Sequence, residues 1–211
     1  MGFAVETPLQ PFMGRKERRR SSAGKLFLGD HCDLRANPLI AKLLAKHGEP
    51  ALVLFSEEVL KINRRGEAVP RVLLVAPNAL FLLDSGTMRV RRKIQIKRLA
   101  AIRMSEHNDN FLALIHPEEY DVLLVCARKI EATLAIGDAF GAVTGRRDTE
   151  KDESGSRKKD ESRSENLEPP RLPVELSSNF TYAAGADLTK RVTFTRLENG
   201  EVDTTVADIV G

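Results

Sequence analysis

The chain has 211 residues, 42% of them hydrophobic and 30% charged, with a formal net charge of +3 and no tryptophan. This length allows one domain with a substantial core. The two cysteines, Cys32 and Cys126, have neither the number nor the spacing of a disulfide framework or a metal site. No apolar run reaches the roughly 18 residues that a membrane span requires, and the N-terminus lacks a signal peptide. These features argue against a secreted or membrane-spanning protein, and we expect a cytoplasmic protein with reduced thiols.

Basic residues are concentrated in the first part of the chain. Residues 1–147 contain 24 basic and 16 acidic residues, whereas residues 148–211 contain 9 and 14. Anionic partners are therefore expected to bind the first part. Residues 1–24 are expected to form a flexible arm. They contain the cluster GRKERRRSS, whose basic residues are candidate accessory contacts to an anionic surface: Arg15, Lys16, Arg18, Arg19 and Arg20. A nuclear-import signal is the alternative function of such a cluster.

A short helix and seven short strands are predicted next. Asn37-Pro38 is typical of a helix start and Gly48 of its end. Strand-forming residues and turn signals then alternate through seven segments: ALVLFSEEVLKIN, RVLLVAP, ALFLLD, MRVRRKIQIK, AAIRMS, FLALIH and YDVLLVCA. The first two strands meet at a basic turn that contains Gly66 and Pro70. Arg92 interrupts the alternation of the fourth strand and predicts a bulge or bend there.

The last third of the chain is predicted to contain a helix, an insertion and further strands. RKIEATLAIGDAFGAVTG predicts an amphipathic helix that ends near Gly145. Of the residues over 148–168, 13 are charged, and such a segment buries too little apolar surface to order itself. We expect it to be a disordered insertion. LPVELSSNFTYAA and KRVTFTRLENGEVD then predict more strands over residues 169–211.

The order of these elements resembles the pleckstrin-homology fold. Five segments also resemble, in the same order, the tail homology 1 domain of class I myosins: FLGDHCDLRANP, VLFSEEVLKINRR, RVLLVAPNALFLLD, RMSEHNDNFLALI, and LPVELSSNFTYA with KRVTFTR. The cluster GRKERRRSS is similar to the basic stretch that joins the lever arm of these myosins to the tail. The resemblance implies an α+β fold, with a pleckstrin-homology-like antiparallel seven-stranded barrel or sandwich over residues 25–147, capped by a C-terminal helix. Residues 169–211 would add the strands that complete the domain.

The resemblance implies a non-catalytic membrane-binding module. Such a module binds anionic phospholipids, including phosphoinositides, on the inner face of membranes and links them to the actin–myosin cytoskeleton. It needs no cofactor, and any motor ATPase would lie outside this chain. In pleckstrin-like sites, basic residues in and beside the loop between the first two strands hold the lipid head group. The matching positions here are Lys61, Arg64, Arg65 and Arg71, with Glu67 as a departure in the middle of the loop.

The distribution of basic residues also indicates a site at the end of the predicted barrel where the loop between the first two strands lies. Between Lys61 and Arg98 the sequence has ten basic residues and two acidic ones. In an antiparallel sheet the loops after the first and third strands lie at one end, so the fourth strand adds candidate lipid-binding residues on one alternating face: Arg89, Arg91 and Lys93. Arginine and lysine both suit phosphate groups. The alternative is that these charges only protect exposed strand edges from aggregation.

Other classes of function have less support from the residues. The same fold could instead present an edge strand or a helix to a cytoskeletal or myosin-associated protein, as an adaptor without lipid specificity. Nucleic-acid binding is disfavoured because aromatic residues for base stacking are sparse. The four histidines lack metal-ligand spacing, and no catalytic motif is present. We therefore expect neither a metal site nor an enzyme.

Overall fold

Two β-sheets and two α-helices make up the part of the chain that is described, residues 29–145 and 170–209 of a computed structural model. The predicted arm over residues 1–24 and the predicted insertion over residues 148–168 lie outside these ranges. Short 3-10 helices lie at Leu34–Ala36 and Ile96–Arg98. The other elements are, in chain order, α1 (Pro38–Lys46), β1 (Phe55–Ile62), β2 (Ala68–Val75), β3 (Ala79–Asp84), β4 (Val90–Gln95), β5 (Ala101–Met104), β6 (Phe111–Ile115), β7 (Val122–Val125), α2 (Lys129–Gly145), β8 (Val174–Leu176), β9 (Asn179–Gly185), β10 (Leu188–Arg196) and β11 (Val202–Asp208).

The larger sheet contains the seven predicted strands and β8. Its order is β4-β3-β2-β1-β7-β6-β5-β8, and all neighbours are antiparallel except β5 and β8. The smaller sheet has the order β11-β10-β9. In this topology the loops 63–67, 85–89 and 116–121 lie at one end of the larger sheet, and we call that end the barrel mouth. The predicted fold class, including the C-terminal strands, is confirmed.

The larger sheet curls around a common core. Alternate residues of its strands form one buried cluster, which includes Val59 of β1, Leu82 of β3, Ile94 of β4 and Leu114 of β6. The helix α2 contributes Ile136 to the same cluster. Because side chains alternate between the faces of a strand, this cluster defines the inner face of the sheet, and α2 caps it.

Two further layers cover the outer face of the larger sheet. The first is α1, where Ile40 and Leu44 pack with Phe81 of β3. Asn37 begins this helix, since its Oδ1 accepts a hydrogen bond from the Leu39 N–H group at 3.0 Å. The second layer is the smaller sheet, whose apolar residues pack on β6 and β7: Phe180, Tyr182, Val192 and Phe194. Neither helix in the described ranges is long and apolar enough to cross a membrane.

Gly29 and Asp30 lie close to the beginning of β1. Gly29 has a φ of 98°, and a Cβ atom at this position would lie 2.4 Å from the carbonyl oxygen of Leu54. Asp30 Oδ1 accepts hydrogen bonds from the Ser56 hydroxyl, at 2.5 Å, and from the Leu34 N–H group, at 2.9 Å. These contacts fasten the segment before α1 to the beginning of β1.

The β1–β2 hairpin has a shorter turn than expected from the sequence. Pro70, which was expected in the turn, lies inside β2 opposite Leu60. Arg71, which was expected to open the second strand, is the fourth residue of β2. The difference arises because residues 63–67 close the turn by themselves, so that strand pairing already begins at Ala68.

A bulge in β4 determines the direction of its charged side chains. The pairing with β3 shifts by one residue, so that Arg92 lies opposite Leu82 while Val90 lies opposite Leu83. The predicted irregularity at Arg92 is therefore confirmed. A one-residue bulge reverses the face that later residues occupy, which places Arg92 on the inner face and Lys93 on the outer face.

Candidate functional site

The tip of the β1–β2 hairpin is organised by the side chain of Asn63. Its Oδ1 accepts hydrogen bonds from the backbone N–H groups of Arg65 and Glu67, at 2.9 and 3.0 Å, and its Nδ2 donates to Glu67 Oε2 at 2.7 Å. Gly66 has a φ of 86°, a conformation that glycine adopts without strain. The turn therefore holds Arg64 and Arg65 in exposed positions at the tip. The side-chain amide of Asn63 binds the Glu67 carboxylate.

Three cationic side chains belong to the inner face of the barrel mouth. Arg71 lies opposite Val59, and Arg92 lies opposite Leu82. Both Val59 and Leu82 belong to the inner cluster, and residues directly opposite each other share a face. Lys61 follows Val59 by two residues and therefore faces the same side. The strand register thus places Lys61, Arg71 and Arg92 on the same inner face at the barrel mouth.

Tyr120, in the loop 116–121, brings two of these cations close together. Its ring centroid lies 3.9 Å from Arg92 Cζ and 5.5 Å from Lys61 Nζ, distances at which a cation is attracted to an aromatic face. The pKa of Lys61 is lowered, first by partial burial and then by the positive charges of Arg92 and Arg71. An anion bound in the mouth would relieve this repulsion.

Two carboxylates also belong to the barrel mouth. Asp84 Oδ2 lies 2.9 Å from Arg91 Nη2 and 3.9 Å from Arg71 Nη1. Glu119 Oε2 lies 3.1 Å from Arg92 Nη2. These acids neutralise part of the positive charge, and any bound anion competes with them for the arginines.

Of the remaining predicted site residues, Lys93 lies on the outer face of the sheet, whereas Arg89 lies in one of the loops of the mouth. Lys93 is on the outer face, where its Nζ donates to the His47 carbonyl oxygen at 2.8 Å and lies 3.6 Å from Glu49 Oε1. Arg89 is exposed in the loop 85–89. The bulge separates Lys93 from the cations of the mouth. The accessory residues of the arm lie outside the described residues: Arg15, Lys16, Arg18, Arg19 and Arg20.

Two residues of the mouth were missing from the sequence-based set of site residues. The sequence did distinguish Arg92, because this charged residue occupies a position where the alternation of the fourth strand predicts an apolar one. The irregularity was interpreted only as a bulge or bend, and not as a sign of a binding residue. Tyr120 carried no signal beyond its place as the first residue of the predicted strand YDVLLVCA. Its approach to Lys61 and Arg92 joins β1, β4 and the loop before β7, and such a long-range contact depends on the complete sheet order.

A curled antiparallel sheet, capped by a helix and carrying cations at its open end, defines a pleckstrin-homology-like domain. Solved structures of low similarity include the DH/PH domains of p115-RhoGEF, with 15% identity and a TM-score of 0.39 over 54% of this chain and 36% of that chain. Another is the hSac2 domain of the human phosphoinositide phosphatase Sac2, with 13% identity and a TM-score of 0.38 over 66% of this chain and 88% of that chain.

The family model described as "unconventional myosin tail, actin- and lipid-binding" matches residues 18–207, and the chain belongs to this family. Among its relatives, myosin heavy chain IB of Acanthamoeba castellanii is 25% identical over 92% of this chain and 15% of the relative. Unconventional myosin-Ig of Mus musculus is 32% identical over 42% of this chain and 9% of the relative. The chain therefore spans only a small part of the length of these myosins.

Proposed function

We propose that the chain is a non-catalytic, peripheral membrane module that binds anionic phospholipids, phosphoinositides among them, through the barrel mouth. In this role it would link the inner face of a membrane to the actin–myosin cytoskeleton. The observation that carries the proposal is the placement of Lys61, Arg71 and Arg92 on one inner face, with Arg64 and Arg65 exposed at the adjacent hairpin tip.

The charge of the mouth suits reversible binding to a membrane. Each basic residue close to an anionic leaflet contributes about 1 kcal/mol. Because Asp84 and Glu119 are paired with three of the arginines, only part of this sum is available to a lipid. We therefore expect weak, salt-sensitive binding, since exposed charges are screened beyond about 10 Å at 0.1 M salt.

Co-sedimentation with vesicles tests the proposal. Neutral vesicles are compared with vesicles that contain an anionic lipid, and the chain with Lys61→Ala and Arg71→Ala is expected to lose most binding to the anionic vesicles. Lys42→Ala with Lys46→Ala is the matched control, because it removes the same charge from exposed positions on α1. Equal losses in the two variants would show that net charge, and not the mouth, determines binding.

A protein-binding adaptor is the second candidate, and the edge of the larger sheet favours it. The strand β8 ends this sheet, and all three of its residues are exposed. Val174 and Leu176 are among the exposed large hydrophobic side chains. An extended segment of a partner could add to this edge. Capture of actin by the Lys61→Ala, Arg71→Ala chain at high salt, together with unchanged vesicle binding, would favour this second function.

A further inference from the structure

Arg92 is the most deeply buried cation of the barrel mouth. Its side chain is 7% exposed. Nη2 donates to the Tyr120 carbonyl oxygen at 2.5 Å and to Glu119 Oε2 at 3.1 Å. Among the described residues, Nε and Nη1 have no hydrogen-bond partner although both are buried. Buried donors are normally paired, and an unpaired donor of a charged group is costly. This arginine therefore has unused capacity to bind an anion.

Tyr120 and Glu119 both contact the Arg92 guanidinium. The Tyr120 ring covers the Arg92 guanidinium, with its centroid 3.9 Å from Cζ. Tyr120 itself is 42% exposed, and the Glu119 side chain is 49% exposed. The Glu119 carboxylate is bound by Arg92, and the Tyr120 ring lies near Arg92 and Lys61. A stronger anionic partner for Arg92 can therefore displace both side chains.

The ends of the loop 116–121 are anchored independently of these two side chains. Asp121 Oδ1 accepts a hydrogen bond from the His116 N–H group at 2.8 Å, and Oδ2 accepts one from the Ala183 N–H group at 2.7 Å. The Asp121 N–H group also donates to the Ala183 carbonyl oxygen at 2.8 Å. The Tyr120 and Glu119 side chains can therefore move away while the loop remains attached to β9.

We propose that Arg92 is a concealed phosphate contact of the barrel mouth, covered by Tyr120 and Glu119, and that it makes the mouth selective for phosphomonoesters over phosphodiesters. The inference rests on the proposed function, because it assigns the ligand class of the same mouth. A phosphomonoester displaces the Glu119 carboxylate from Arg92, moves the Tyr120 ring, and binds Arg92 together with Lys61 and Arg71.

The chemistry of the two phosphate classes explains the selectivity. A monoester carries about two negative charges at neutral pH and three terminal oxygens, which match three converging cations. A phosphodiester carries one charge, and its two ester groups block approach to a buried guanidinium. Only the monoester can therefore outcompete the Glu119 carboxylate. The planar fork of arginine binds two phosphate oxygens at once, which a lysine at this position does not reproduce.

Tyrosine fluorescence can report the movement directly. The chain has two tyrosines and no tryptophan, so Tyr182→Phe leaves Tyr120 as the only source of tyrosine fluorescence. This variant is titrated with vesicles that contain a phosphatidylinositol monophosphate and with phosphatidylglycerol vesicles of equal total charge. We expect the emission of Tyr120 to change with the monoester lipid and not with the diester lipid. A soluble inositol monophosphate and inorganic phosphate form two further arms, and saturation by either would show that the phosphate is bound without its lipid.

Two substitutions decide whether Arg92 and Tyr120 have the proposed roles. Arg92→Lys, with its fold checked by circular dichroism, should weaken monoester binding about tenfold, the effect of one lost hydrogen bond to a charged group, and should weaken phosphatidylglycerol binding much less, because lysine retains the positive charge. Tyr120→Ala, at an exposed position, should strengthen monoester binding because it uncovers Arg92. Unchanged monoester affinity in Arg92→Lys, or weaker binding in Tyr120→Ala, would overturn the inference. Failure of the unsubstituted chain to bind either vesicle would instead overturn the proposed function.

Discussion

Asp84 accepts two hydrogen bonds from Arg91, at 3.2 Å from Nε and 2.9 Å from Nη2, and thereby places an acid among the cations of the barrel mouth. The pKa of Asp84 is lowered to about 2, first by the hydrogen bond from the Thr87 hydroxyl and then by the one from Arg91. The carboxylate is consequently ionised at every physiological pH. It is an internal competitor for any phosphate that approaches Arg91 or Arg71.

Removal of this competitor should strengthen lipid binding. We expect Asp84→Asn to raise affinity for anionic vesicles about fivefold, because a cation freed near an anionic leaflet contributes about 1 kcal/mol. Co-sedimentation at constant salt measures the change. Asp203→Asn, at an exposed position of β11, removes the same charge outside the mouth and should have a smaller effect. An equal gain in both variants would assign the effect to net charge.

The same carboxylate should contribute stability with a defined pH dependence. The pKa of Asp84 is depressed to about 2 in the folded chain, below the value of about 3.9 for a free aspartate. Its contribution is therefore complete above about pH 4 and is lost as the pH falls towards 2. Melting temperatures of the unsubstituted and Asp84→Asn chains should differ at pH 7 and converge near pH 2. A difference that is constant across this range would contradict the assignment.

The fold was predictable because its signals are local. Hairpin-spaced strands, the Asn37-Pro38 helix start and the helix near Gly145 each follow from a few adjacent residues. The position of the basic loops at one end of the sheet followed from antiparallel order alone. Lys61 and Arg71 were placed correctly at that end of the barrel, although Arg71 lies further inside its strand than expected.

The direction of the β4 side chains was not predictable in the same way. Simple alternation from Arg89 puts Arg91 and Lys93 on one face. The one-residue bulge changes the face of the residues that follow it, so that Arg92 and not Lys93 joins the cations of the mouth. The interruption at Arg92 indicated a bulge, but it did not indicate which face of the strand each later side chain would occupy. The cover formed by Tyr120 was also beyond local signals, since it depends on the closure of the sheet through β1 and β7.

Gly29 is required by its surroundings, and Gly137 provides a contrast. A Cβ at Gly29 would meet the Leu54 carbonyl oxygen at 2.4 Å, and its φ is 98°. Gly29→Ala should therefore cost several kcal/mol, on the order of 3. Gly137→Ala, in the interior of α2 with nothing within 4 Å, should instead stabilise by roughly 0.5–1 kcal/mol. Urea denaturation of both variants measures the difference, and similar effects in the two would refute this interpretation.

A buried ion pair connects the loop after β5 to the beginning of α2. Lys129 Nζ lies 3.0 Å from Asp109 Oδ2, with side chains 5% and 4% exposed. Burial lowers the pKa of Lys129, while the Asp109 charge acts in the opposite direction. Lys129 Nζ also donates to the His107 carbonyl oxygen at 3.1 Å. The pair therefore holds this loop against the helix.

Removal of one partner of this ion pair should lower the free energy of unfolding more than replacement of both partners by apolar residues. Asp109→Ala leaves the Lys129 charge buried without its counterion and should cost about 3–5 kcal/mol. Asp109→Ala combined with Lys129→Met should recover much of this loss, because no buried charge remains. Urea denaturation of the two single variants and the double variant gives the coupling free energy. Simple addition of the two single losses would show that the residues do not act as a pair.

Tyr182, at the interface between the two sheets, should make stability sensitive to alkaline pH. Its pKa is raised to about 12, first by burial and then by the charge of Asp208. The unfolded phenol titrates near pH 10, so the folded chain retains the proton more strongly. The contribution of this residue to stability is therefore complete below about pH 10 and falls as the pH rises from 10 to 12, by about 2 kcal/mol.

The substitution Tyr182→Phe should remove this alkaline loss. The buried hydroxyl has no hydrogen-bond partner among the described residues, so its deletion should leave stability at pH 7 unchanged or raise it by about 1 kcal/mol. Urea denaturation of both chains at pH 7, 9 and 11 tests the expectation, because all other titrating groups are common to the two. The stability curves should separate above about pH 10, with the phenylalanine variant the more stable. Parallel curves would mean that ionisation of Tyr182 does not oppose folding, and that the smaller sheet accommodates the phenolate.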